Sequence, residues 1–234
     1  MKIDILKKSL RSKYWNLIFN KFFKIDTKKL LEPKIILENF SNLNFDINII
    51  YKYALNNKHT KWIKGQDPYQ SNHDLQDLND FSEIRIFIEE FLNEKIKPIF
   101  LKDKTIGKFK INSMWFVIMR ENTSHTMHAH PKSVLSGVIY LKVQESNSEN
   151  ALKILIPKFN SDKYNNLLEY KEFISQDTEL VDYGKKDLVQ KKIYEFLPKV
   201  KDVIVFNSYM YHWIDQHNQK EERISLAWDA IYTI

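Results

Sequence analysis

The chain contains no cysteine. That excludes a disulfide framework and any thiolate metal site, and it fits a reducing cytoplasm, where the protein is expected to work. Glycine is scarce as well, with four in 234 residues. No glycine-rich phosphate loop can be placed, and neither can a nucleophile elbow or a paired-carboxylate signature. Nucleotide hydrolysis and serine-type chemistry are therefore not expected. No stretch is long and apolar enough to span a bilayer, so no membrane partner is expected. The lysine-studded start, Met1 to Lys28, lacks the uninterrupted apolar core of a secretory signal. The net charge of +6 is spread along the chain, with only local pairs at Lys185-Lys186 and Lys191-Lys192. A solvated basic face accounts for it, and nucleic-acid binding is not expected.

What is present divides into helices first and strands later. Leu6, Leu10, Trp15, Leu17, Ile18 and Phe22 give Met1–Phe23 a helical apolar stripe, read as a helix packing outside a sheet. Lys34–Phe40 and Asp46–Asn56 suggest a strand and a helix, and Gly65 and Pro68 mark a loop between Trp62 and Leu75. Ser82–Lys95 reads as an amphipathic helix capped by Asp80 or Ser82, with Ile84, Phe87, Ile88, Phe91 and Leu92 on its apolar side. From Lys108 the texture is β. Ile111–Arg120 is a nearly continuous apolar run, as in a strand buried on both faces. Further strands are expected at His128–His130, Ser136–Val143, Ala151–Ile156, Ile193–Phe196, Val203–Phe206 and Arg223–Ile234. A polar excursion, Pro157–Leu197, interrupts them. The order argues for an α+β domain with a β-sandwich or barrel core.

Three of the seven histidines, His125, His128 and His130, fall within six residues. On an unbroken strand His128 and His130 share a face, and His125 points the other way, to a rim or surface position. His212 follows a buried strand much later, and Arg223 and Ser225 share one face of the next. Three imidazoles leave open positions on iron, copper or zinc. An arginine on a neighbouring strand offers a permanently charged fork for a carboxylate, and Ser225 a further hydrogen bond.

At four segments the sequence resembles the 2-oxoglutarate/Fe(II) oxygenases related to a group first described as conserved hypothetical proteins of bacteria and their phages. The segments are Y-Q-S-N-H-D-L at Tyr69–Leu75, H-A-H-P-K-S-V-L-S-G-V-I-Y-L at His128–Leu141, V-I-V-F-N-S-Y-M-Y-H at Val203–His212 and E-R-I-S-L-A-W at Glu222–Trp228. The resemblance runs from about Trp62 to Asp229. It implies an α+β fold with a double-stranded β-helix (jelly roll, cupin-like) core and supporting N-terminal helices. One domain, 1–234, would then comprise a mainly helical support, 1–107, and a jelly-roll core, 108–234, carrying the 157–197 insertion. It also implies Fe(II), 2-oxoglutarate and dioxygen, with hydroxylation of a substrate and release of succinate and CO2. Carried over, His128, His130 and His212 match the iron ligands, Arg223 the co-substrate carboxylate binder, Ser225 its partner, and Tyr140 a residue that reaches the oxo-acid.

Two alternatives for His130 stay open, a third iron ligand or a second-shell or co-substrate role. Two rival readings of the whole chain also stay open. One is a non-enzymatic, cupin-like metal- or ligand-binding barrel. The other is a 2-oxoglutarate-independent three-histidine iron dioxygenase in which Arg223 binds the substrate. Among the remaining residues, His217 is expected to be solvated in a polar loop, and His59 and His73 to lie outside the site core, with the lining of an entrance left open for His73. Trp115 and Trp228 are read as barrel packing. Asp229 is expected either to orient Arg223 or to sit solvated at the barrel mouth.

Overall fold

The computed structural model describes residues 33–57, 67–101, 106–130, 132–144, 151–156 and 192–234. The expected helix Met1–Phe23, His59, Trp62, Gly65 and residues 157–191 of the insertion lie outside the described residues. Among those described, ten strands form two antiparallel sheets. They are β1 (Ile35–Asn39), β2 (Tyr69–Gln70), β3 (Lys108–Met119), β4 (Thr123–His128), β5 (Leu135–Lys142), β6 (Leu152–Ile156), β7 (Lys192–Phe196), β8 (Asp202–Asn207), β9 (His212–His217) and β10 (Arg223–Thr233). The larger sheet has the order β1-β8-β5-β10-β3-β2, and the smaller the order β4-β9-β6-β7. The chain thus crosses repeatedly between the sheets, as in a jelly roll.

The larger sheet is buried on both faces, which is why its central strands carry so few polar residues. Along β10, Ile224, Leu226, Trp228 and Ala230 join a core under the helices. Arg223, Ser225, Ala227 and Asp229 alternate with them and belong to the opposite face. Trp115, Val117, Tyr140, Phe206 and Ala227 meet Leu152, Ile154 and Ile214 of the smaller sheet in a second core. In β3 the register skips Asn112 between its pairings with Asp229 and Ala230. This bulge changes which face the strand presents, so Ile111 and Met114 both reach the helix-side core.

Two helices, α1 (Asn48–Asn56) and α2 (Ser82–Phe91), cover the outer face with Ile50, Ile84 and Ile88. Burying each such side chain is worth about 1.5–3 kcal/mol. Phe40 stands edge-on to both Phe87 and Phe91, with centroids 4.8 Å away in each case. The expected helix to Lys95 is interrupted. Leu92–Ile96 widens into a π-type turn before a last short helix, α3 (Lys97–Phe100). Pro98 in the first turn of α3 has no N–H to continue a regular ladder. Nor does a side chain cap α2: the Ser82 hydroxyl donates to the Asn79 carbonyl, 2.7 Å, because a 3₁₀ turn over Asn79–Phe81 leads directly into the helix.

The shortage of glycine shows in the turns. Asn122 at φ 67° and Lys201 at φ 71° occupy left-handed positions that glycine fills most easily. Asparagine tolerates that conformation, whereas Lys201 bears roughly 1–2 kcal/mol of strain there. One of the four glycines has a different role. Gly137 in β5 faces Trp228 across the strand pair, and a methyl group there would overlap the indole ring. Gly137→Ala is therefore expected to lower stability by about 1–3 kcal/mol, because the fully buried Trp228 ring has to shift. Urea unfolding with the tryptophan emission spectrum checks it, and unchanged stability would mean that the ring has room to move.

Candidate active site

The histidines meet where the two sheets face each other. His128 closes β4 and His212 opens β9, and the two are cross-strand partners. Their ring centroids lie 4.2 Å apart. His130 lies two residues beyond His128, past the end of the strand. Its backbone N–H donates to Ser208 O, 2.8 Å, which anchors the loop. Its ring centroid is 5.0 Å from each of the other two. One ring nitrogen from each of His128, His130 and His212 lies within 4.8 Å of the others.

The outward-facing nitrogens fix the tautomers. His128 Nδ1 lies 2.7 Å from Thr126 O, and His212 Nδ1 lies 3.1 Å from Met210 O. His130 Nδ1 lies 2.7 and 2.9 Å from the two carboxylate oxygens of Asp229. All of these groups accept and none donates, so each Nδ1 carries a proton and directs it away from the cluster. Burial pushes the His128 and His212 pKa values well below the ordinary histidine range, and the charge of neighbouring imidazoles adds to the effect. Both rings are therefore neutral at physiological pH, the state a metal ligand needs.

His125 and His217 depart from the sequence expectation. Between Thr123 and His128 the β4–β9 register shifts twice, and between His125 and His128 two residues of β4, Thr126 and Met127, oppose one of β9, Trp213. That bulge cancels the parity argument. His125 is buried, lines the cleft and has its ring 4.5 Å from that of His128. His217 is not solvated but 1% exposed at the end of β9, with Nε2 2.7 Å from Glu221 O.

The same cleft is lined by Arg223, Ser225 and Tyr140. Arg223 is 1% exposed. Its guanidinium carbon sits 5.1 Å from the Tyr140 ring centroid, and its Nη1 points at the Met119 sulfur, 3.2 Å away. Its Nε and Nη2, and the Tyr140 hydroxyl, have no hydrogen-bond partner among the described residues. Burial depresses the Arg223 pKa and raises that of Tyr140, each opposed by the other's proximity. A guanidinium does not deprotonate in a protein, so this is a buried cation with no anionic partner among the described residues. An uncompensated buried charge of this kind is disfavoured by several kcal/mol, which an incoming carboxylate offsets. Ser225, 7% exposed and paired in register with Tyr140, stands beside it on the same face.

The donor set fits a metal centre of the iron, copper or zinc type: three imidazole nitrogens converge in a cleft that also holds the buried Arg223 cation. Residues 113–229, half of the chain, match the family described as "Putative 2OG-Fe(II) oxygenase". The chain belongs to this family. It is an oxygenase dependent on 2-oxoglutarate and Fe(II). No curated protein matches the sequence. Among solved structures the oxygenase is similar to HygX from Streptomyces hygroscopicus with nickel and 2-oxoglutarate bound. The TM-score is 0.51 and the identity 11%, over 85% of this chain and 82% of that one. It is also similar to SnoN, a non-heme alpha ketoglutarate dependent epimerase from nogalamycin biosynthesis, at TM-score 0.55 and 8% identity over 88% and 79%. These likenesses establish a shared fold.

Two features of the oxygenase's site escaped the sequence reading. Asp229 does not touch Arg223. It accepts from His130 Nδ1 and, at 2.6 Å, from the Ser136 hydroxyl. Strand parity placed Asp229 on the cleft face, but its partner comes from a loop whose path no periodicity encodes. Trp115 is buried as expected, yet it also lines the cleft. It stacks on His73 at 4.3 Å and lies 5.2 Å from the His130 ring. His73 thus adjoins the site core from the Tyr69–Leu75 segment.

Proposed function

We propose that His128, His130 and His212 hold Fe(II) through their Nε2 atoms, and that Arg223, Ser225 and Tyr140 bind the carboxylate of 2-oxoglutarate that lies away from the metal. The enzyme then hydroxylates a C–H bond of its substrate: 2-oxoglutarate and dioxygen are consumed, and hydroxylated product, succinate and CO2 are released. The observation that carries this reading is the buried Arg223 guanidinium with two undirected donors, in one cleft with three convergent imidazole lone pairs.

Each residue has a defined task. His128 and His212 are held by local carbonyl acceptors at strand ends, so their rings are oriented before metal arrives. Arg223 supplies charge and a planar fork, Ser225 a hydroxyl donor, and Tyr140 a buried phenol beside the guanidinium. The apolar walls of Val117, Leu152, Phe206 and Ile214 exclude water from the cleft. When bound, Fe(II) supplies the activation of dioxygen that couples decarboxylation of the oxo-acid to substrate oxidation. No helix among the described residues is long and apolar enough to cross a membrane. A cytoplasmic location accords with the absence of cysteine.

The deciding experiment is an anaerobic titration of the Fe(II)-loaded protein with 2-oxoglutarate, followed in the visible range. Bidentate chelation of Fe(II) by the oxo-acid gives a charge-transfer band, which is expected to rise and saturate. Bound iron with no band would remove the co-substrate assignment, and no bound iron would remove the histidine assignment.

A further inference from the structure

The three proposed ligands are neutral, so none brings negative charge into contact with a dication. They also differ in support. His128 and His212 each donate to a carbonyl two residues earlier in their own segment. His130 has left its strand and donates to a carboxylate 99 positions away in sequence. That carboxylate, on Asp229, is 8% exposed and sits beside the β3 bulge at Asn112. Both its oxygens face His130 Nδ1, and Ser136 in β5 donates to one of them. The chain Ser136–Asp229–His130 thus runs from two strands of the larger sheet to the loop after β4.

We propose that Asp229 is a positioning residue of the metal centre: it locks His130 in the tautomer and orientation that present Nε2, and supplies through that ring the negative charge the ligands lack. The proposal rests on the ligand assignment above. A loop histidine has rotational freedom about two side-chain bonds, and the twofold contact with the carboxylate removes it. An ionised carboxylate accepts only, so the ring proton stays on Nδ1 and the electron density at Nε2 rises. Ser136 in turn holds one carboxylate oxygen and so limits rotation of the carboxylate.

Co(II) titration of the chelator-treated full chain, read by calorimetry and by the visible d–d spectrum, tests this without turnover. Asp229→Asn keeps the shape and removes the charge. It is expected to weaken Co(II) binding roughly 10-fold and to shift the d–d bands, and Asp229→Ala to weaken it by up to roughly 100-fold. Ser136→Ala is expected to weaken binding a few-fold. Circular dichroism shows whether each variant is folded. Wild-type affinity and bands in both Asp229 variants overturn the proposal. If both Asp229 variants fail to fold, Ser136→Ala decides in the same way. His212→Ala separates the two readings: if it too binds Co(II) like the wild type, the ligand assignment itself has failed. If it loses binding while the Asp229 variants keep it, only the role of Asp229 has failed.

Discussion

His212→Ala abolishes iron-dependent succinate production. This is the largest effect expected of any single substitution outside the general core. His212 is 6% exposed, opens β9 and stands in register with His128. Two neutral imidazoles then remain, one of them on a loop. Loss of an outer-shell partner already weakens metal binding about 10–100-fold, and loss of a ligand exceeds that. Succinate formed from 2-oxoglutarate under air, with and without added Fe(II), is the measurement. Iron content after gel filtration shows whether the defect is in binding. His212→Gln serves as a control for the cavity that alanine leaves. A variant that keeps its iron and its rate of succinate formation removes His212 from the site.

Arg223→Leu separates co-substrate binding from metal binding. The variant is expected to take up iron normally but to bind 2-oxoglutarate about 3 kcal/mol more weakly, roughly 100-fold in Kd, which is typical of deleting one partner of a desolvated charge pair. The charge-transfer band should appear only at correspondingly higher 2-oxoglutarate. The same substitution has a second, opposite consequence. Without ligand, Arg223 is a buried guanidinium with two unpartnered nitrogens, and replacing it with an apolar side chain removes that penalty. The apo-variant should therefore melt above the apo-wild-type, whereas adding 2-oxoglutarate to the metal-loaded protein should raise the melting temperature of the wild type more than that of the variant. Arg223→Lys is expected to recover only part of the affinity, because an ammonium keeps the charge without the fork. Equal 2-oxoglutarate affinity in Arg223→Leu and wild type would exclude this residue as the carboxylate binder.

The two substitutions act on different stages, so their combination is informative. His128 and His212 lie at strand ends that are stitched together by backbone pairing between β4 and β9, and His130 reaches the site from the loop after β4. Arg223, Ser225 and Tyr140 lie on β10 and β5 of the other sheet. The cleft exists only while the two sheets face each other, so metal and co-substrate sites share a dependence on sheet packing. Gly137, which leaves room for the Trp228 ring in the helix-side core, is one point where the pairing of β5 with β10 is set.

The sequence by itself determined the candidates and their faces. The alternation of Ile224, Leu226 and Trp228 with Arg223, Ser225 and Asp229 is a period-two signal, and local pleating alone translates it into two faces. The apolar run of β3 announced a strand covered on both sides for the same reason. Local rules failed where the backbone departs from regular pleating. The register shifts in β4 brought His125 onto the side of His128, and His130 reached the site from a loop rather than from a strand face. His217 looked like a loop residue because its neighbours are polar, but β9 extends through it and buries it. Only the tertiary structure decided which distant groups meet: Asp229 with His130 rather than with Arg223, Trp115 with His73, and Arg223 with no anion among the described residues. Such pairings depend on bulges, loop paths and the facing of two sheets, and these are set by long-range packing energies that no window of neighbouring residues contains.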